Sequence, residues 1–434
     1  MLSSETTVEE LTVTIDALSY GVFGVARTDQ GVVFVPGTAP GDVARVRIVE
    51  RKRDYREAEL VELIHPSSAR RTPPCRFLPE CGGCPWQHVD YPAQLAAKET
   101  MLRETLARIG GLDPAALDVR AIIPSPQWSY RHRLTLRVDG EQRLGFYRHR
   151  SHRLVEIDEC VIADEAVNRH LAAAREWLRG VSTTIRRVEI ASARDGRVAF
   201  VANAEGPFRH DDDYHDAFLR AHSTVSGIVV FGSGWRRVFG KPVTDLEIDS
   251  GLVIESRGGF TQVNPTGNER LVATVVELAA PNAGDRVLDL YCGGGNLGLP
   301  LARRARELLG VESDPAAITE ARRNADRARL VNCRFLQRDA AGAVQALAAE
   351  RERFSLVVLD PPRSGAADVV ERLADITADR LIYVSCNPTT LARDLRRLRA
   401  LGFALGLIQP IDLFPQTYHL ETVVRLERSV APTR

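Results

Sequence analysis

The 434-residue sequence has little lysine, no excess of either charge and no long apolar run. Lysine occurs only at Lys52, Lys98 and Lys241, so nearly every cation is an arginine. The formal net charge of zero excludes a uniformly basic coat for nucleic acid, but it is compatible with local basic patches. No stretch approaches eighteen consecutive apolar residues, which excludes a membrane-spanning helix.

The first residues, MLSSETTVEELTV, lack the basic and apolar regions of a secretory leader. We therefore expect a cytoplasmic protein without a membrane partner, and a monomer. Seven cysteines in a reducing compartment argue against a disulfide framework, since thiols stay free there. Metal binding or catalysis is the better expectation for them.

The length predicts several domains, and we expect three: 1–66, 67–255 and 256–434. Short alternating apolar segments between residues 11 and 64, separated by glycines, predict a five-stranded barrel of the oligonucleotide-binding type. Its last strands carry cations that could follow a phosphate backbone: Arg45, Arg47, Arg51, Lys52, Arg53 and Arg56. A solvated, charged face is the alternative interpretation.

The central region predicts an α+β domain. Residues 92–110 have the pattern of an amphipathic helix, and short strands follow between residues 130 and 157. The segments YRHRLTLR and FYRHRSHR mix aromatic and basic residues, a composition suited to stacking bases and neutralising phosphates. Residues 188–254 favour an antiparallel α+β insert.

From residue 257 onward, strands and helices alternate, which predicts α/β architecture with a doubly wound parallel sheet of the Rossmann type. The strand segments are VLDLY, LLGVES, RFLQRD, LVVLDPP and RLIYVSC. A final pair, residues 404–411 and 421–426, is expected to add an antiparallel hairpin. We expect the hairpin to fold back over the sheet.

The glycines of CGGGNLG predict a nucleotide loop that opens a helix after the first of these strands. A nicotinamide cofactor would use a similar loop, but three acidic residues, Asp289, Glu312 and Asp360, favour S-adenosylmethionine. Asp289 could meet the cationic amino acid end of that cofactor. Glu312 could bind its ribose, Asp339 would lie near its adenine, and Asp360 opens an Asp-Pro-Pro motif. Helix capping is the alternative role for each of these acids.

Cys386 follows the apolar segment 381–384, so it should lie at the carboxyl end of a buried strand, where such folds bind ligands. A thiolate that adds to C6 of a pyrimidine makes C5 nucleophilic, and a base must later remove the C5 proton. Glu421 is the candidate base, and Asp360 could bind the pyrimidine edge or orient that base. The nucleotide would have to be flipped out of its helix. A buried, inert cysteine is the alternative.

Three cysteines, Cys75, Cys81 and Cys84, form C-x5-C-x2-C, and Cys160 is a candidate fourth ligand. Four thiolates can hold either zinc or an iron–sulfur cubane, and the spacing favours zinc slightly. A radical enzyme would use three close cysteines and leave one iron open, so a fourth ligand argues against that chemistry. Cys292 and Cys333 are expected to be inert thiols.

The segments DLYCGGGNLGLPLA, VVLDPPRSG, SCNPTTLARD and HLETV closely resemble the bacterial RNA uracil-5-methyltransferase family, in particular the 23S ribosomal branch with a TRAM barrel and an iron–sulfur cluster. The resemblance covers almost the whole chain. It implies Cys386 as nucleophile, Glu421 as proton acceptor and a [4Fe-4S] cluster on Cys75, Cys81, Cys84 and Cys160. The cofactor contacts that it implies are Gln262, Tyr291, Asn296, Glu312, Asp339 and Asp360. Tyr291 and Gln416 depart from the residues common in the family, which are phenylalanine and histidine.

The expected function is therefore S-adenosylmethionine-dependent methylation of C5 of a uridine in structured RNA, with 23S rRNA as the favoured substrate. Cytidine in rRNA and uridine in tRNA are alternatives, and cytidine is disfavoured because the Asp-Pro-Pro motif contains no cysteine. A non-catalytic RNA-binding assembly factor is a weaker alternative. An oxidoreductase is weaker still.

Overall fold

The computed structural model describes residues 9–428, which form two compact units. The first unit contains residues up to 102 together with 147–155 and 414–419, and the second contains the rest. This division does not test the three predicted domains. Residues 1–8 and 429–434 lie outside the described residues. They include the start of the segment considered as a leader and the outer ends of the first and last predicted domains.

Six strands of the first unit form one sheet in the order β1-β5-β6-β4-β3-β2. The strands are β1 (Glu10–Thr14), β2 (Ala17–Leu18), β3 (Phe23–Thr28), β4 (Gly31–Pro36), β5 (Val43–Arg51) and β6 (Tyr55–His65). Only Ile15 and Asp16 separate β1 from β2. Because β1 pairs with β5 and β2 pairs with β3, the sheet returns to its own first segment, as the predicted five-segment barrel requires.

Alternation of side chains explains the interior of this barrel. Residues two apart along a strand share one face, and Val33 and Val35 of β4, like Ala44 and Val46 of β5, are fully buried. A long helix, α1 (Tyr91–Arg108), follows where the sequence predicts one.

The middle of the chain contributes a seven-stranded sheet, ordered β13-β12-β11-β10-β7-β8-β9, and a separate hairpin of β14 and β15. The strands are β7 (Arg133–Val138), β8 (Leu144–Tyr147), β9 (Leu154–Glu156), β10 (Ile185–Ser192), β11 (Val198–Ala204), β12 (Val225–Gly232), β13 (Trp235–Gly240), β14 (Thr244–Asp249) and β15 (Leu252–Ser256); the helices are α2 (Glu165–Arg169), α3 (Leu171–Gly180) and α4 (Asp212–Ala221). The predicted antiparallel insert is wrong at one point, since β11 and β12 are parallel. The crossover helix α4 between them makes this pairing geometrically accessible.

The carboxyl-terminal part forms a second seven-stranded sheet, ordered β18-β17-β16-β19-β20-β22-β21. Its elements are α5 (Pro265–Ala279), β16 (Arg286–Leu290), α6 (Gly298–Ala302), β17 (Glu307–Glu312), α7 (Pro315–Arg327), β18 (Cys333–Gln337), α8 (Ala340–Ala349), β19 (Phe354–Leu359), α9 (Ala367–Ile376), β20 (Thr377–Ser385), α10 (Pro388–Ala400), β21 (Phe403–Ile411) and β22 (Glu421–Arg428). β16 to β20 are parallel, and the chain order reverses at β16, which confirms the doubly wound prediction. Across residues 9–428, every helix is too short or too polar to cross a bilayer.

The terminal strands form the expected antiparallel hairpin, but the hairpin does not fold back over the sheet. β22 pairs with β20 as an antiparallel strand of the same sheet, and β21 forms the edge beyond it. The hairpin therefore extends the sheet rather than covering it. Val423, Val424 and Leu426 of β22 are fully buried.

Candidate active site

The carboxyl ends of four neighbouring strands bring the predicted site residues into one row. Leu290 of β16 pairs with Val311 of β17 and with Leu359 of β19, so the next residues, Tyr291, Glu312 and Asp360, lie side by side. Parallel strands of a doubly wound sheet present such residues to the crevice beyond their ends. The register thus explains why chemistry-bearing residues follow strand after strand.

The antiparallel pairing of β20 with β22 brings Cys386 to Glu421. Ser385 lies opposite Thr422, so one step further along both strands Cys386 faces Glu421. Asp360 follows Leu359, which pairs with Tyr383 three residues before the cysteine. A thiol and two carboxyl groups therefore share one end of the sheet.

Glu421 is only 3% exposed, and its Oε1 has no hydrogen-bond partner among residues 9–428. Burial, reinforced by the neighbouring charge of Asp360, raises its pKa well above the ordinary value for glutamate. Burial also raises the pKa of Asp360 to about 7. Two carboxyl groups this close cannot both ionise readily, so the pair holds a proton near neutral pH.

The thiol of Cys386 is half-buried and resists ionisation in the free protein. Burial, then the charges of Glu421 and Asp360, raise its pKa to about 11, whereas Arg363 acts in the opposite direction. At neutral pH the group is therefore a thiol, and forming the thiolate requires a change in these charges or a proton acceptor. Arg363 is a residue to which the sequence analysis assigned no role.

Helix α10 holds the loop that carries Arg363. Asn387, at the amino cap of α10, donates from Nδ2 to the carbonyl of Arg363 at 3.0 Å. Asp394, fully buried, accepts hydrogen bonds from the hydroxyl of Tyr383 and from the backbone N–H of Ala366, each at 2.8 Å. Since α10 begins immediately after Cys386, the same helix orients the loop and the cysteine.

A pocket opens beside this row, at the glycine loop. Five of its lining residues bear polar side chains that the sequence analysis singled out for the cofactor: Gln262, Asp289, Tyr291, Asn296 and Asp360. Asp289 is 1% exposed, and its Oδ2 has no hydrogen-bond partner within the described part of the chain. Burial and the charge of Asp360 raise its pKa well above that of an ordinary aspartate. A buried carboxylate oxygen without a partner, in such a pocket, suits the cationic amino acid end of S-adenosylmethionine.

The backbone conformation of the glycine loop lets a ligand approach the main chain closely. Tyr291, Gly293 and Gly295 have φ of 62°, 52° and 96°, and for the tyrosine this left-handed conformation costs about 1–3 kcal/mol. A Cβ at Gly298 would lie 2.6 Å from Oδ2 of Asp289, so only glycine leaves room for that carboxyl group. Glu312 accepts a hydrogen bond from the N–H of Gly293 at 3.2 Å, which brings its carboxylate to the same loop.

Comparisons with known proteins agree with this geometry. A family model described as tRNA (uracil-5-)-methyltransferase matches residues 249–429, and a TRAM domain model matches residues 5–61. The chain is 37% identical to an uncharacterised RNA methyltransferase of Gloeobacter violaceus over 97% of both chains. It is 33% identical to the 23S rRNA (uracil(1939)-C(5))-methyltransferase RlmD of Aeromonas hydrophila over 96% of each.

The chain belongs to the RNA uracil-5-methyltransferase family. As a member it is an S-adenosylmethionine-dependent enzyme that methylates C5 of uridine in RNA. A solved structure, the Pyrococcus abyssi tRNA (uracil-54, C5)-methyltransferase in complex with S-adenosyl-L-homocysteine, is similar with a TM-score of 0.70 at 25% identity. The similarity covers 96% of this chain and all of that one. The family and the fold expected from the sequence are thereby confirmed.

Asn268 and Asn324 support the pocket of this RNA uracil-5-methyltransferase, and the sequence analysis assigned neither of them a role. Asn268 and Asn296 exchange amide hydrogen bonds in both directions at 2.8 Å, which fixes the side chain of Asn296. Asn324 of α7 donates to the carbonyl of Gly294 at 3.0 Å and accepts from the backbone N–H of Glu255. Neither asparagine lies in a recognisable motif, so no sequence signal could have identified them.

Asp339 has a different environment from the other predicted cofactor residues of the methyltransferase. It is exposed and caps α8, accepting a hydrogen bond from the N–H of Gly342 at 2.7 Å. The pocket formed by the described residues is lined by neither Asp339 nor Glu312. The cap is the alternative weighed for these acids, and a contact of Asp339 with the adenine stays a prediction.

The four cysteines proposed as ligands in this methyltransferase belong to different units. Cys75, Cys81 and Cys84 lie in a loop of the first unit, whereas Cys160 lies in the second. Nowhere in residues 9–428 do three or more His, Cys, Asp or Glu side chains gather closely enough to hold a metal ion.

Five of the six cations considered on the barrel of the methyltransferase have glutamate partners. Arg45 contacts Glu62 and Glu10, and Arg47 also contacts Glu10. Arg51, Lys52 and Arg56 likewise have glutamate partners. These contacts favour the solvated charged face over a track for phosphates.

Proposed function

We propose that this protein methylates C5 of a uridine in 23S rRNA, with Cys386 as the nucleophile and Glu421 as the base. The observation that carries this proposal is the strand register that sets Cys386 opposite Glu421, beside Asp360 and the cofactor pocket. A nucleophile, a base and a methyl donor are the three components that the reaction needs. Their common location in one crevice supports the assignment of roles.

In the proposed reaction, Cys386 releases its proton to solvent, and the thiolate sulfur bonds to C6 of the uracil ring while the C5–C6 double bond opens to an enolate that makes C5 nucleophilic. The sulfonium cofactor supplies the methyl group that C5 receives. Glu421, as carboxylate, then takes the proton from C5, and the electrons of that C–H bond expel the sulfur of Cys386 from C6 as thiolate. The thiolate is thus regenerated, and the ring regains its double bond.

The electrostatics of the site support a handover of protons. Burial raises the pKa of Asp360, and the charge of Asp360 adds to burial in raising the pKa of Glu421, so a proton released by one group finds an acceptor in the other. Arg363 opposes this effect on both Cys386 and Glu421. We propose that Asp360 also orients the uracil edge.

For the cofactor, we propose contacts by Gln262, Tyr291, Asn296, Glu312, Asp339 and Asp360, as the resemblance implies. The unpartnered Oδ2 of Asp289 supports the placement of the cationic amino acid end near the glycine loop. Gln262 stands just before α5, whose first turn is capped by Asn264, and this cap holds the segment that forms one wall of the pocket.

Similarity to a 23S rRNA (uracil(1939)-C(5))-methyltransferase and the TRAM domain match support an RNA substrate, and 23S rRNA in particular. Because C5 is inaccessible in a stacked helix, the target uridine must be flipped out. We propose a TRAM barrel in residues 1–66, a central domain with RNA contacts in 67–255 and a catalytic domain in 256–434. The protein would act as a monomer in the cytoplasm, where rRNA is processed.

We further propose that Cys75, Cys81, Cys84 and Cys160 hold a [4Fe-4S] cluster with a structural role. Four thiols suit either zinc or a cubane. The resemblance to the family branch with an iron–sulfur cluster favours the cubane, whereas the cysteine spacing alone slightly favours zinc. Iron and sulfide content of anaerobically purified protein, with zinc measured in parallel, tests this choice.

Uridine in tRNA is a second candidate substrate, because the similar solved structure is a tRNA (uracil-54, C5)-methyltransferase. The deciding experiment incubates unmodified total RNA with the protein and a labelled methyl donor, then identifies and maps the labelled nucleoside. We expect 5-methyluridine in 23S rRNA. Label found only in tRNA would identify tRNA, and not 23S rRNA, as the substrate. Labelled 5-methylcytidine would contradict the assignment of uridine as the target.

A further inference from the structure

The segment between β21 and β22 belongs to a different unit from the strands that it joins. Residues 414–419 lie in the first unit, whereas β21 and β22 lie in the second. Leu420 and Glu421 follow directly, so this segment is the covalent tether of the proposed base. We call residues 414–419 the tether.

A reciprocal pair of buried glutamines holds the tether. The backbone N–H of Gln416 donates to Oε1 of Gln94 in α1 at 2.9 Å, and Nε2 of Gln94 donates back to Oε1 of Gln416 at 2.9 Å. Both side chains are fully buried. Gln416 has a φ of 70°, a strained conformation for a residue with a side chain, which persists only where surrounding contacts enforce it.

Further contacts come from the loop before α1 and from the helix itself. The N–H of Trp86 donates to the carbonyl of Gln416 at 3.1 Å, and Arg71 donates to the Gln416 side chain. Lys98, fully buried, donates from Nζ to the carbonyl of Phe414 at 3.2 Å. Burying an amide and an ammonium is costly where an apolar side chain would pack equally well. This free-energy cost indicates that the protein depends on a defined conformation of the tether.

We propose that Gln94 and Gln416 are positioning residues, which set the carboxyl group of Glu421 for removal of the C5 proton. The inference rests on the proposed role of Glu421. β22 begins at Glu421, so its side chain is oriented by the pairing of β22 on one side and by the tether on the other. A small displacement of a base from its proton slows the transfer steeply.

The proposal predicts which step fails. Bonding of Cys386 to C6 and methyl transfer to C5 need no base at the tether, so both proceed in a variant with a loosened tether. Proton removal from C5 lags, and the C6–S bond therefore stays intact. The methylated RNA accumulates as a covalent adduct with the protein.

The test compares Gln94→Leu with the parent enzyme on unmodified 23S rRNA fragments. We expect steady-state turnover to fall at least about tenfold while the single-turnover rate of methyl transfer changes by less than about threefold, with adduct visible on a denaturing gel. Gln416→Leu should give the same phenotype, and the double variant should add little, since the two amides act as a unit.

His88→Leu is the matched control, because His88 is also buried in the first unit and its Nε2 lies 3.0 Å from the carbonyl of Thr38, away from the tether. His88→Leu should lower the melting temperature about as much as Gln94→Leu does, but no covalent adduct with RNA should accumulate. Should Gln94→Leu fail to fold, Gln94→Glu keeps the acceptor for Gln416 and loses the donor, and a smaller adduct fraction is expected.

Two results would overturn the proposal: unchanged turnover in Gln94→Leu, or turnover that falls without adduct as in the control. Glu421→Gln separates these failures from failure of the proposed function. If Glu421→Gln accumulates adduct and Gln94→Leu does not, the base stands and the positioning role falls. If Glu421→Gln accumulates none, the base assignment fails, and the inference fails with it.

Discussion

Most charged side chains considered on the barrel face are exposed and paired, whereas Asp289 and Glu421 at the carboxyl end of the catalytic sheet are buried. On the barrel, Arg45 and Glu62 are about half exposed and contact each other, an arrangement that costs little and contributes little. At the sheet end, Glu421 is buried with an oxygen that no described residue satisfies. Charged residues are abundant in both regions, so abundance does not mark function. A buried acid with an unsatisfied oxygen beside a pocket is a more specific marker, because such groups concentrate where a reaction or a ligand uses them.

Two thiols sharpen the same contrast. The pKa of Cys333 and that of Cys386 are both raised to about 11. For Cys333, burial is the cause, whereas Cys386 also responds to two acids and to Arg363. The pKa alone therefore does not distinguish a nucleophile from an inert thiol, but the neighbours do.

The largest expected effect comes from Cys386→Ala. Removing the nucleophile should lower the rate of 5-methyluridine formation at least about a thousandfold, since no other group can activate C5. Cofactor affinity, measured by calorimetry, should stay within about threefold of the parent value. Cys333→Ser is the matched control and should keep full activity. Comparable activity of Cys386→Ala and the parent enzyme would refute the assigned role.

The pH dependence tests the protonation state of the thiol. Below a pKa of about 11, the thiolate fraction rises about tenfold per pH unit, so trapping of RNA that contains 5-fluorouridine should accelerate between pH 7 and 9. Arg363→Gln removes the group that lowers this pKa and should slow trapping at each pH. A flat profile in this range would mean that bound RNA has already lowered the pKa below 7.

Asp289→Asn should weaken binding of S-adenosylmethionine about tenfold, because the variant loses a charge facing the amino acid end of the cofactor. Calorimetric titration measures the effect. Asp314→Asn, at the exposed amino cap of α7, is the control, since asparagine can also cap a helix. Equal affinities for Asp289→Asn and the parent enzyme would leave the unpartnered oxygen without its explanation.

Glu421→Gln should stabilise the fold while abolishing turnover. Because burial raises the pKa of Glu421 in the folded state, its contribution to stability is present at low pH and is lost as the pH rises. The free energy of unfolding of the variant should exceed that of the parent by about 1 kcal/mol at pH 8, a few degrees in melting temperature, with a smaller difference at pH 5. A larger gain at pH 5 than at pH 8 would contradict the assigned direction.

The smallest effect is expected on the barrel. Arg45→Gln should change the free energy of unfolding by less than about 0.5 kcal/mol and leave RNA affinity nearly unchanged, since its charge is already paired. Filter binding at two salt concentrations measures the affinity for RNA. A tenfold loss of affinity would break the comparison between the two regions and return these arginines to the RNA interface.

The sequence could predict the row of residues at the strand ends because each lies beside its own local signal. A short apolar run followed by Asp360 or Cys386 predicts a buried strand and a side chain at its end, and the alternation of strands and helices then predicts that these ends meet. The barrel segments followed in the same way from alternation and glycines. Both signals depend only on neighbours in the chain.

Tertiary structure alone decided how distant segments combine. No local pattern predicts that β22 enters the sheet beside β20, that β11 and β12 run parallel, or that Gln94 pairs with Gln416 across 322 positions. Periodicity determines which face of an element is buried, whereas the partner across that face is selected by packing and by hydrogen bonds between residues far apart in sequence. For this reason Cys386 and Glu421 were predictable as residues, and their opposition across two strands was not.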